Sequence, residues 1–167
     1  MTADSNPIRR ALVGQLDIAW ALASYHLDGL TTDACLWRPA ARGLHLIGRT
    51  DGSYLAEWPD HEGYDLGPPS IGWLTWHMIF WWSMVLDHSF GEGTLQRETI
   101  AWPGSAEAAN EAIRALQARW RSAIEALSDA DLGTDQRTRW PFAGRKAQSK
   151  TGRCSARSPG APSMVSF

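Results

Sequence analysis

The sequence predicts an all-α fold: a helix bundle with three long helices, the fourth missing or degraded, and a small β-hairpin between the first two. Three observations carry this. Apolar residues recur at helical spacing in three separate stretches, each opened by a capping residue. The chain is 167 residues long with 44% hydrophobic and 20% charged residues, which is ordinary for one globular domain. Its ten tryptophans point to a large aromatic core, with each indole N–H satisfied by a nearby carbonyl.

The first helix starts at Ser5-Asn6-Pro7, a capping residue followed by Pro in the first turn. Ile8, Leu12, Leu16, Ala19, Ala23 and His26 step by four and three, so they are expected to form its inner face. Asp28-Gly29 ends it, since Gly takes the left-handed cap readily. Residues 32–37 form a short helical turn before Arg38-Pro39. Residues 44–47 and 54–58 flank Arg49-Thr50-Asp51-Gly52, which predicts a β-hairpin with Asp-Gly at its turn. An irregular loop runs on to Pro69. The second helix spans about residues 70–90, with Trp73, His77, Phe80, Met84 and Asp87 as its central stripe. The third starts at Ser105 and runs to about Leu127, burying Ala109, Ile113, Leu116, Trp120, Ile124 and Leu127. Residues 128–132 add one further turn.

Charge divides the chain. Residues 1–142 hold 11 Arg and no Lys against all 18 acids, a net −7, while residues 143–167 hold five basic residues and no acid. The body is a poor polyanion binder, so nucleic acid is not an expected partner. The domain is read as residues 1–142, followed by a basic Ser/Gly/Pro-rich tail that lacks the composition to fold alone. Two readings of the tail stay open: a reading-frame shift that replaces a fourth helix, or a native disordered tail on a three-helix protein. Cys35 and Cys154 show no CxxC spacing, and residues 1–10 lack the apolar core of a signal peptide. The longest apolar run, residues 71–86, is too short to cross a bilayer. Together these predict a cytoplasmic protein without a membrane partner.

No phosphate loop, nucleophile elbow or HExxH occurs, which leaves five His. His77 is the candidate metal ligand, because inward-facing His on bundle helices build metal sites. A hydrogen-bonded core imidazole is the plainer alternative for it. His26, one turn from its helix end, is a capping residue in the plain reading and a neighbour of His77 in the other. His88 lies eleven residues beyond His77, about 16 Å along a helix axis, too far to share one ion. His45 and His61 are expected to be solvent-exposed. Asp87 is read as paired or frayed rather than catalytic.

The segment His26-Leu27-Asp28-Gly29-Leu30-Thr31 with Leu36-Trp37-Arg38-Pro39, the segment Ile71-Gly72-Trp73-Leu74-Thr75-Trp76-His77-Met78, and the helix, long connection, helix, helix order together resemble the DinB/YfiT-like superfamily over about residues 7–142. This is the metalloenzyme superfamily, not the DNA polymerase that shares the name. The resemblance implies an up-down-down-up four-helix bundle with a divalent metal, zinc or nickel, held by His77. It also implies S-transfer or isomerisation with a low-molecular-weight thiol such as mycothiol or bacillithiol. The sequence departs from the family in one respect. The family's other two ligands lie on the fourth helix as His-x-x-x-His or Glu-x-x-x-His, and nothing after Leu132 matches. The expected site is therefore incomplete and the chain inactive as written. The rival reading is a non-catalytic helical module that forms a homodimer through the groove left by the missing helix.

Overall fold

The computed structural model describes residues 6–59 and 66–141. His61, Cys154 and the tail of residues 143–167 lie outside them. Helix α1 spans Pro7–Leu27, α2 Thr32–Leu36, α3 Ile71–Phe90, α4 Ala106–Glu125 and α5 Asp129–Leu132. Strands β1, Leu46–Gly48, and β2, Tyr54–Ala56, lie between α2 and α3 and pair antiparallel, Leu46 opposite Ala56. α4 is the hub, with α3 and α1 both packed on it, while α2 packs on α3.

Each long helix opens where a side chain satisfies its free N–H groups. The Asn6 carboxamide accepts from the backbone of Ile8 at 2.9 Å and Arg9 at 3.4 Å, and Pro7 follows it. Ser70 caps α3 by accepting from Trp73 N at 3.2 Å, and Ser105 caps α4 by accepting from Ala108 N at 3.1 Å. α5 carries a full capping box: Ser128 and Asp131 bond each other's backbone. The Ser128 hydroxyl, with Ser128 N and Arg137 beside it, pulls the Asp131 carboxyl down to about 2.

The face of α1 differs from the expected one. Trp20 and Leu27 lie against the core, and Asp17 and Asp28 pair with Arg121 and Arg114 of α4. Of the expected stripe, Leu12, Leu16 and Ala23 are half-buried, while Ile8, Ala19 and His26 are exposed. The reason is that α1 is apolar on nearly every side, so periodicity alone does not choose a face. Partners on α4 choose it. On α3, Trp73, Phe80 and Met84 of the expected stripe are buried, joined by Trp76 and Ile79, while His77 and Asp87 are half-buried. On α4, Ala109, Ile113 and Leu116 are buried as expected, with Trp120, Ile124 and Leu127 half-buried.

Two close approaches tie the hairpin layer to α3. A Cβ at Gly72 would lie 2.7 Å from the Cys35 carbonyl oxygen, so only Gly lets α2 approach this near. Ser70 N donates to Leu44 O at 2.9 Å, which folds residues 43–45 against the start of α3. His45 is buried as a result, at 2% exposure, which corrects the expectation that it is exposed. Its backbone N donates to Glu57 at 2.7 Å, its Nε2 lies 3.2 Å from Ala40 O, and its Nδ1 has no hydrogen-bond partner among the described residues.

The core tryptophans pay their hydrogen-bond debt locally, as expected of buried indoles. Trp73 donates to Glu57 O, Trp76 to Ile100 O, Trp102 to Thr75 Oγ1 and Trp120 to Trp82 O, at 2.7–3.2 Å. An apolar cavity of about 520 Å³ opens between α1, α3 and α4, walled by Leu12, Val85, Phe90, Trp120, Ile124 and Trp140. No fourth long helix occurs among the described residues, and none of their helices is long and apolar enough to cross a membrane.

Candidate functional site

His77 lies nearly two turns into α3 and is half-buried. Its ring stacks on Trp73 at 4.6 Å and 20°, and meets Trp81 edge-on at 6.1 Å and 86°. The contacts follow from helical spacing, since residues four apart stand one above another on the same face. Trp81 Nε1 donates to His77 Nε2 at 2.7 Å. An indole N–H can only donate, so Nε2 bears no proton and the neutral ring carries its hydrogen on Nδ1. Burial among the aromatic rings lowers the His77 pKa below the ordinary histidine value, because the charged form is poorly solvated there.

The remaining His do not gather around it. His26 is exposed, edge-on to Tyr25 at 5.3 Å, on a helix that packs against α4. His88 stacks flat on Trp140 at 4.3 Å and 1°. His45 is enclosed by the hairpin layer, and His61 lies outside the described residues. Asp87 is occupied as a loop clamp. Its Oδ2 accepts from Leu95 N at 2.8 Å, and this bond first, with further backbone N–H groups, lowers its pKa.

Trp81 and Trp140 are the contributors that sequence reasoning did not assign. Trp140 bridges Trp81, at 5.9 Å, and His88. The signal for Trp81 was present as the i, i+4 spacing from His77. Trp140 carried none beyond its apolar character, because its position depends on the turn at Gln136–Thr138 that folds back on α3.

Among the described residues, no three of His, Cys, Asp or Glu come together to hold a metal ion. A catalytic zinc normally takes three protein ligands. The His77 imidazole already shares its Nε2 lone pair with an indole N–H.

The family model described as the DinB superfamily matches residues 15–151, from within α1 to beyond the last described residue. No curated protein and no solved structure matches the chain. The match covers most of the chain and contains the whole of α3 with its Trp76-His77 pair: the chain belongs to the DinB superfamily.

Proposed function

We propose that this chain is a DinB-superfamily relative of the metal-dependent thiol transferases, the mycothiol-using kind, with an incomplete metal site that leaves it without turnover. The observation that carries the reading is His77 itself. It is a neutral, half-buried imidazole on the second long helix, and the neighbours that pack on it are aromatic rings rather than ligands. A small thiol or other small molecule is the partner this reading assigns, in a cytoplasmic setting where the buried Cys35 stays a free thiol.

Metal analysis of the purified full chain tests this. We expect zinc and nickel well below one ion per chain, unchanged in His77→Ala. Stoichiometric metal that disappears in His77→Ala would show a complete site and overturn the incomplete reading.

A second reading rests on the apolar cavity of about 520 Å³ between α1 and α3. A non-catalytic module could use it for self-association, since exposed apolar surface of this kind is costly. Light scattering decides: a dimer broken by Val85→Asp supports it, and one indifferent to that change does not.

A further inference from the structure

The outer side of α1 carries a second apolar face that the core does not use and that meets the cavity only at Ile8. Ile8, Ala11, Gln15, Ile18, Leu22 and Tyr25 follow one another at alternating spacings of three and four, and all six are exposed. Ile8 is 52% exposed, Ile18 67%, Leu22 64% and Tyr25 77%. That alternation, kept over most of α1, is the a/d seam of a two-stranded coiled coil, with one polar residue at an a position.

Three charges on or next to α1 are directed elsewhere. Arg9 pairs with Asp129 of α5, Asp17 with Arg121 and Asp28 with Arg114 of α4. The seam is left apolar except for Gln15. Its flanks are small at Gly14, Ala19 and Ala21, and a Cβ built on Gly14 meets nothing within 4 Å. Another helix can therefore come close.

We propose that α1 is a homodimerisation helix, paired antiparallel with α1 of a second copy of this chain. The pattern is self-complementary about a two-fold axis, as an isologous interface requires. In the antiparallel register Ile8 meets Tyr25, Ala11 meets Leu22 and Gln15 meets Ile18, so the small Ala11 faces a large partner. A parallel register sets Ala11 against Ala11 and Gln15 against Gln15, leaving a hole and a polar pair in the seam. The four large side chains expose on the order of 500 Å², at the upper end of the largest patch on a typical monomer. With the flanking residues, that approaches the roughly 800 Å² per partner of a stable interface. Gln15 lowers the affinity and pins the register. The proposal is independent of the reading of His77 and shares only Ile8 with the lining of the cavity.

Sedimentation velocity on the full chain up to about 100 μM tests it. The parent is expected to form a dimer. Leu22→Asp, and separately Ile18→Ser, should give monomers with unchanged helical circular dichroism. Gln15→Leu should tighten the dimer by about tenfold, because it removes the polar a position. Under oxidation, Ile8→Cys combined with Tyr25→Cys should cross-link two chains above the parent's baseline, whereas Ile8→Cys alone should not. A parent that stays monomeric overturns the proposal. So does a dimer that survives Leu22→Asp and Ile18→Ser, or one that yields only to Val85→Asp, which places the interface in the groove.

Discussion

Thr75→Val tests how the loop before α4 is held to α3. Thr75 is 4% exposed, and Trp102 is 1% exposed. The Thr75 hydroxyl accepts from Trp102 Nε1 at 3.0 Å and donates to Gly72 O at 2.9 Å. Trp102 also joins the hairpin layer, through its backbone N–H on Tyr54 O at 3.2 Å and an edge-on ring contact at 5.3 Å. Valine keeps the shape of threonine and removes the acceptor, so the indole N–H is left buried without a partner. Stranding such a donor costs about 1–3 kcal/mol, more than the bond itself contributes. With a midpoint shift of about 2–4 °C per kcal/mol for a chain of this size, a cost near the middle of that range, about 2 kcal/mol, lowers Tm by roughly 4–8 °C. Trp102→Phe removes the N–H together with some packing. In that background Thr75→Val should cost almost nothing, giving a coupling near 2 kcal/mol in a double-mutant cycle. Urea unfolding followed by far-ultraviolet circular dichroism measures all four corners without relying on tryptophan emission. A single-variant cost or a coupling below about 0.5 kcal/mol would refute the reasoning, because it would show the hydroxyl is not the indole's partner.

Two further outcomes concern His77. Trp81→Phe keeps an aromatic ring and removes the donor to Nε2. A Ni²⁺ ion at that nitrogen must otherwise break a bond with a net worth of about 1 kcal/mol, so affinity should rise about fivefold in a fluorescence titration. An unchanged affinity would mean the indole does not occupy the lone pair. The second outcome is a pH dependence. The folded-state pKa of His77 is lowered by burial, so on acidification the unfolded chain takes up its proton first. The contribution to stability is present above the unfolded value near 6.5 and is lost as pH falls from there through the folded value. His77→Gln should flatten that part of the stability profile between about pH 7.5 and 5. Identical profiles for parent and variant would sink the assignment.

The elements were legible in the sequence because their signals are local. Asn6, Ser70 and Ser105 each bond N–H groups two or three residues away, and Gly29, at φ +85°, leaves the helical conformation without a steric penalty. The hairpin was legible for the same reason, with Gly52 at φ +82° after Asp51. His77 was legible as a helix residue near an apolar face. Its partner Trp81 is only four residues away, yet the bond was not read, because spacing brings two rings together without saying which atoms meet.

What lay beyond reach depends on residues far apart. Ile8, Leu12, Leu16, Ile18 and Leu22 surround α1 with apolar side chains, so the sequence does not say which of them turn inward. Asp17 with Arg121 and Leu27 O with Asn110 make that decision across separations of 104 and 83 residues. His45 reads as a loop residue until Leu44 O accepts from Ser70 N and closes the hairpin over it. By itself, then, the sequence determined the helices, their caps, the hairpin and the superfamily, since capping and periodicity act within a few residues. The tertiary structure alone decided which faces are covered: His77 Nε2 engaged by Trp81, His26 left outside, and an α1 seam open to solvent. The physical reason is that burial of a face is a property of two elements at once, and neither element's own pattern contains the other.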